Sequence, residues 1–344
     1  MNLPLPIEFA PMEADTAKAI PQGPEWQYEP KWDGFRALCY RDGDEADIRS
    51  KAGQPLARYF TEMVQALRAM EPQRFVLDGE IIVVVGGRPS FDQLLQRIHP
   101  AESRIKRLAH ETPSSLAVFD LLVNDEGESL VDQPLRERRK ALEDFAGKYL
   151  ASATRPVHLS PVTSEYEEAR RWFTEMAGGL DGVIAKRLDC PYGAGQRNAM
   201  LKIKNLRSAD CVVGGFRYAQ KGNLVGSMLL GLFDDTGLLH HVGFSSSFAA
   251  AAKPELTSKL EALVGPPGFT GNAPGGPSRW STERSTQWVS LRHELVVEVQ
   301  YDHFTGGRFR HGTKFLRWRP DKAPAQCRME QVEKEAASPL DLLR

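Results

Sequence analysis

The chain has little of what would settle its class at a glance. Its 344 residues include only four cysteines, Cys39, Cys190, Cys211 and Cys327. None forms a CxxC pair and no matching His-x-x-x-His accompanies them. That argues against a zinc site and a disulfide framework, and for a reducing cytoplasm. An excess of one charge is also missing, because 44 Lys and Arg stand against 45 Asp and Glu. No global positive field announces a nucleic-acid partner, so any such partner must be held by local patches. No run approaches the ~20 apolar residues of a membrane span. The opening MNLPLPIEFAPMEAD has acids and prolines where a signal peptide carries basic residues and an apolar core. There is no internal repeat. A cytoplasmic protein with no membrane partner is the expectation.

What is present is an ordinary globular balance, 41% hydrophobic and 26% charged, at a length that suits two domains better than one core. After a proline-punctuated lead-in, FRALCYR (35–41), FVLDGEIIVVV (75–85), LAVFDLLV (116–123) and GVIAK (182–186) read as strands. Helical periods fall at 55–70, 134–150 and 164–179. The mixture lacks strict βαβ alternation, which predicts an α+β domain around antiparallel sheet over residues 1–206. From there the texture changes to glycine-punctuated strands, 211–219, 227–235, 238–246 and 293–302, interrupted by one helix near 247–264. That is the pattern of an OB-fold barrel, placed at 207–326, with a tail at 327–344. GPPGFTGNAPGGPS (265–278) reads as a mobile loop.

The chemistry starts at EPKWDGFRA, residues 29–37. KxDG alone is a weak signal, and Lys31 could be a surface lysine before a turn. Order and spacing change that. Asp33, Gly34 and Arg36 follow Lys31. Then come LDGE ending at Glu80, VFDL containing Phe119, DGVIAK from Asp181 to Lys186, and LKIK with Lys202 and Lys204. A lysine amine attacks the α-phosphorus of a nucleoside triphosphate only when neutral, and its reference pKa of ~10.4 leaves almost none neutral at pH 7. Burial beside Tyr28 and Trp32, with Arg36, Lys202 and Lys204 converging, would push that value down. The same cations would neutralise charge in phosphoryl transfer. A triphosphate needs Mg²⁺ or Mn²⁺, for which Glu80 and Asp181 are candidate ligands, although either alone is more often an ordinary turn acid. Phe119 reads as core or as an aromatic face for a base. The last basic cluster, RFRHGTKFLRWRPDK (308–322), suggests a strand with phosphate-contacting residues on one face.

Taken in order, EPKWDGFR, VLDGE, AVFDLL, DGVIAK, LKIK and FLRWRPDK resemble the nucleotidyltransferase motifs of the ATP-dependent DNA ligases. The second half is similar to the OB-domain of small bacterial repair ligases. The resemblance covers roughly residues 6–325. It implies adenylation of Lys31 by ATP, transfer of AMP to a DNA 5′-phosphate, and attack by the 3′-hydroxyl. It implies that Glu29 and Phe119 contact adenine, Arg36 and Glu80 the ribose and its surroundings, and Lys202 and Lys204 the α-phosphate. Lys51 and Lys186 complete the nucleotide set, Glu80 and Asp181 serve the metal, and Arg317, Arg319 and Lys322 orient the pyrophosphate. The sequence departs from the usual pattern at Asp181, Lys51 and Lys314, where Glu, Arg and Arg are commoner. Nicked duplex DNA is the implied partner, with a repair polymerase a further candidate and a monomer the expected state. An RNA ligase or RNA-capping relative, and a non-catalytic nucleic-acid-binding module, are the rival readings.

Overall fold

A computed structural model of the chain describes all residues except 151–155, 177–178, 276–286, 334–337 and 344. The chain divides into two compact units, one of Met1–Asn205 with Ala336–Arg344 and one of Leu206–Glu335. Among the described residues, no helix is long and apolar enough to cross a membrane.

The first unit is built on two sheets. One has the order Glu45–Ser50, Phe35–Asp42, Arg74–Val85, Ser114–Val123 and Val157–Leu159. Its pairs are antiparallel except the last, which is parallel. The long strands are buried along nearly their whole length, which is why their apolar runs are continuous rather than alternating. Helices Thr61–Arg68 and Leu135–Tyr149 cover this sheet with Phe60, Met63, Leu67, Leu142 and Phe145. The first of them is shorter than the 55–70 periodicity suggests. Residues 51–59 turn instead, with Leu56 N–H bonded to the Ile48 carbonyl, so Leu56 joins the core from outside the helix.

The other sheet has the order Asp15–Thr16, Met200–Lys204, Gly182–Arg187 and Trp26–Lys31. It places Lys31 opposite Gly182 and Glu29 opposite Ile184, and Lys202 opposite Ile184 on the far side. Two close approaches require glycine. A Cβ on Gly34 would lie 2.1 Å from the Ile81 carbonyl oxygen, and one on Gly182 1.9 Å from that of Ile203. Both flank Lys31, so the backbone near that residue is fixed by sterics.

The second unit is a sheet of order Leu239–Ser245, Val225–Phe233, Arg207–Tyr218, Val296–Tyr301 and Lys314–Trp318. Its outer strands meet: Ser245 Oγ donates to the Thr313 carbonyl at 3.0 Å and Thr313 N–H to the Phe244 carbonyl at 2.9 Å. The sheet thereby closes into a small OB-like barrel, which removes its edges. Helix Lys253–Glu261 packs Leu256 and Leu260 onto the barrel core. The segment expected as a mobile loop is pinned over 265–275. Phe269 is buried in the barrel core, and the N–H groups of Thr270 and Gly271 bond the Leu239 carbonyl. Residues 276–278 of that loop lie outside the described residues. The tail residues Leu340, Leu342 and Leu343 pack onto the first unit, in the apolar cluster of Trp172 and Val183.

Candidate active site

Between the two sheets of the first unit lies a cavity of about 240 Å³. Strand Trp26–Lys31 lends it Glu29 and Lys31, which share a face because side chains alternate. Arg36, Glu80 and Phe119 enter from the other sheet, Lys186, Lys202 and Lys204 from the next strands, and Lys51 from a turn at the mouth. Asp181 is tied to the site through an ion pair with the Lys31 ammonium.

This last contact revises the sequence expectation. Tyr28 and Trp32 pack into the apolar cluster of Trp172 and Val183, and the Trp32 indole N–H donates to Ser160 Oγ at 2.9 Å. Both support the strand, and Trp32 also lines the cavity with Lys31. The immediate neighbour of the Lys31 ammonium is the Asp181 carboxylate, which the sequence reading assigns to the metal while expecting burial and cations around the amine. The cationic crowd is felt instead at Lys202. Burial first, and then Lys51, Lys204, Lys31 and Arg197, push the Lys202 ammonium below its ordinary value. Lys202 has no carboxylate partner among the described residues.

Several predicted contacts are already engaged within the protein. Arg36 forms a two-point pair with Asp78, at 2.5 Å and 2.6 Å. Tyr192 donates its hydroxyl to the same carboxylate at 2.6 Å. Arg36 also lies over the Phe119 ring, 4.6 Å from its centroid, and the Lys186 ammonium stands equally close. Glu29 and Lys186 form an ion pair at 2.8 Å, each only 2% exposed. Lys51 pairs with Glu13 at 3.0 Å, and Arg197 reaches the same Glu13 oxygen at 2.8 Å. Those two cations hold the Glu13 carboxyl below its ordinary range, Lys51 most strongly.

Sequence reasoning missed Asp78, Tyr192 and Glu13. Asp78 had a signal, since it precedes Glu80 by two in LDGE and so shares its face. The other two arrive from positions that no local pattern marks. Below Asp78, Arg138 donates to both oxygens of Asp120 at 2.9 Å and 3.0 Å in a fully buried pair.

Glu80 sits deep in the cavity. Burial pushes its carboxyl up to about 7, and Lys31 and Arg36 pull it back only in part. A carboxyl so displaced gains from a cation beside it. Among the described residues no group of three or more His, Cys, Asp or Glu gathers as a metal site. Two carboxylates, Glu80 and Asp181, flank Lys31. That donor set fits a Mg²⁺-type ion, which takes one or two protein carboxylates and fills its shell with phosphate oxygens and water.

Arg317, Arg319 and Lys322 belong to the second unit and form a cluster of their own. Arg319 donates to Asp210 at 2.9 Å and to Asp321 at 2.9 Å. Lys322 reaches Asp210 at 2.6 Å and Arg317 reaches Glu298 at 2.6 Å. Asp210 is itself fixed by Gln331, whose side chain bonds its N–H at 2.9 Å and its carbonyl at 2.8 Å. The strand is there, over Lys314–Trp318, but Arg317 on it is paired with Glu298, as Arg319 and Lys322 beyond it are with Asp210.

A cation-lined cavity with a lysine on its wall, on a mixed α+β unit followed by a small barrel, is the build of the covalent nucleotidyltransferases. Within that class, a family model described as the ATP dependent DNA ligase domain matches residues 11–204, and one for the ATP dependent DNA ligase C terminal region matches 221–322. The chain is 43% identical over 348 residues to DNA ligase C of Mycobacterium tuberculosis, covering 97% of this chain and 96% of that protein. It is 42% identical over 344 residues to DNA ligase C1 of Mycolicibacterium smegmatis, with the same coverage. A solved Lig E DNA ligase, described as binding DNA with a minimal scaffold, shares the fold at TM-score 0.55 and 15% identity, over 90% of this chain and 99% of that one. The chain belongs to the ATP-dependent DNA ligases.

Proposed function

We propose that this ligase seals nicks between 5′-phosphate and 3′-hydroxyl ends in duplex DNA, through an AMP carried on Lys31. The observation that carries the reading is convergence. Residues from six separated stretches of sequence, from Glu29 to Lys204, line one cavity beside Lys31. In the first step the Lys31 amine, its proton given up to water, attacks the α-phosphorus of ATP. A P–N bond forms and the bond to pyrophosphate breaks, with the electron pair leaving on pyrophosphate. In the second step an oxygen of the DNA 5′-phosphate takes the AMP and frees the amine. In the third the 3′-hydroxyl attacks that phosphate and AMP departs.

Lys202 and Lys204 hold the α-phosphate in this reading, and Lys51 lies at the mouth for the outer phosphates. Glu29, Lys186 and Phe119 receive the base, and Arg36, steadied by Asp78, lies toward the ribose. An incoming base must displace one of the two cations from the Phe119 ring or stack beside them. Glu80 and Asp181 would hold a divalent cation, which supplies neutralisation of the triphosphate and engages the carboxylate now paired with Lys31. Arg317 and Lys322 serve the pyrophosphate, each by exchanging a carboxylate for a phosphate oxygen. A role in DNA repair and action as a monomer complete the proposal.

The test is a discharge experiment. Protein labelled from ATP in Mg²⁺ is freed of nucleotide and given nicked duplex DNA. Loss of the label with appearance of sealed strand supports the reading. Label that stays on the protein, or passes only to RNA ends, rejects it.

A further inference from the structure

Glu29 is held from two sides. Lys186 sits 2.8 Å from its Oε2, and the Gln27 amide donates to its Oε1 at 2.9 Å. Gln27 is 5% exposed and Glu29 2%. Gln27 and Glu29 are two apart on one strand and so point to the same side. Glu29 and Lys186 line the cavity, whereas Gln27 lies behind them. A carboxylate flanked in this way cannot rotate. It has spare acceptor sites on both oxygens and no proton to give.

That arrangement has a consequence for what the cavity admits. A base edge with an amino group can donate to a fixed carboxylate. One with a carbonyl oxygen at the same place sets acceptor against acceptor in a buried site, where an unmet polar group is most costly. We propose that Gln27 is a specificity-positioning residue: by locking Glu29 it makes the cavity favour a 6-amino purine over a 6-oxo purine. The inference rests on the reading that this cavity takes the nucleoside triphosphate, and it adds a residue that never touches the base. Lys186 fixes one oxygen by charge. Gln27 fixes the other by geometry, so without it the carboxylate can swing about the Lys186 contact and offer the base a poorer alignment.

The test compares ATP with inosine triphosphate, which differs at the 6-position. The rate of nucleotide attachment to Lys31 is followed by intact-protein mass spectrometry in Mg²⁺. Gln27→Met, close in size but without the amide, is expected to lower the ATP-over-inosine preference by about tenfold, the worth of one hydrogen bond to a charged group. Gln27→Asn, which keeps a donor, should retain more of the preference. The ratio is taken within one preparation, so a partly folded variant leaves it unchanged. A parallel fall with both nucleotides, ratio intact, overturns the inference and leaves Gln27 as packing. Wild-type protein that takes no label on Lys31 overturns the reading beneath it as well.

Discussion

Lys202 and Arg319 come from runs that look alike in the sequence, LKIK and FLRWR, one in each unit. Their surroundings are opposite. After burial, everything that shifts Lys202 is another cation. Everything that stabilises the charge on Arg319 is a carboxylate, Asp321 first and then Asp210 and Glu298. The first, Lys202, stands among like charges with no carboxylate partner among the described residues, although Lys31, Lys51 and Arg197 around it have theirs. The second is a cluster that has already met its anions. A basic run therefore does not show by composition alone whether its cations are already paired. What distinguishes the two is whether strand pairing sets carboxylates opposite the cations. Asp210 and Glu298 are direct partners across the barrel sheet, and Arg317 pairs opposite Glu298. The strand Met200–Lys204 has neutral Ala185, Ile184 and Val183 opposite Leu201, Lys202 and Ile203.

The largest effect is expected at Lys31, one of the charges around Lys202. Lys31→Ala should abolish attachment of AMP and end sealing from ATP, a loss of at least about a thousandfold, since a covalent carrier has no substitute. Gel-shift measurement should show nicked-duplex binding retained. Next in size, Lys202→Met should slow attachment by about a hundredfold through lost stabilisation of the transferring phosphate, with little change in thermal stability. Single-turnover kinetics and a melting curve read both. Arg319→Ala should do the reverse in kind. It leaves Asp210 with Lys322 alone and strips Asp321, so the melting temperature should fall by roughly a few degrees. Should Lys202→Met unfold the protein while Arg319→Ala leaves stability untouched, the comparison is broken.

A further effect, confined to a pH window, concerns Glu80, and its sign follows from protonation. Burial raises this carboxyl from 4.5 to about 7. Between those values the folded protein keeps a proton that the unfolded chain has released. The group's contribution to stability therefore declines as pH rises through that window. Glu80→Gln removes the effect. Its melting temperature relative to the parent should rise from about pH 4.5 to 7 and level off above. A flat difference across that range would mean that Glu80 meets no such penalty.

Much of this architecture was legible. The strands at 75–85, 116–123 and 182–186 declared themselves because continuous β-branched runs suit a sheet buried on both faces. Lys31, Glu80 and Asp181 were legible because each sits beside a glycine or at a strand end, in KWDG, LDGE and DGVIAK. What was hidden is what depends on pairing between distant strands. Asp181 against Lys31, Asp78 against Arg36 and Asp210 against Arg319 join residues more than forty positions apart, and no local period encodes them. The strand carrying Lys31, residues 26–31, was hidden for another reason, since its proline and charged residues disguise its alternation. Phe269 was read as part of a loop because proline and glycine surround it, although its ring belongs to the barrel core.

The central claim is that Lys31, beside a carboxylate and near a group of crowded cations, becomes a temporary carrier of AMP. Incubation with ATP and Mg²⁺, followed by intact mass and peptide mapping, tests it directly. The account predicts a gain of one AMP per chain, located on Lys31 and removed by added pyrophosphate. A chain that gains no mass, or carries the nucleotide on any other residue, contradicts it.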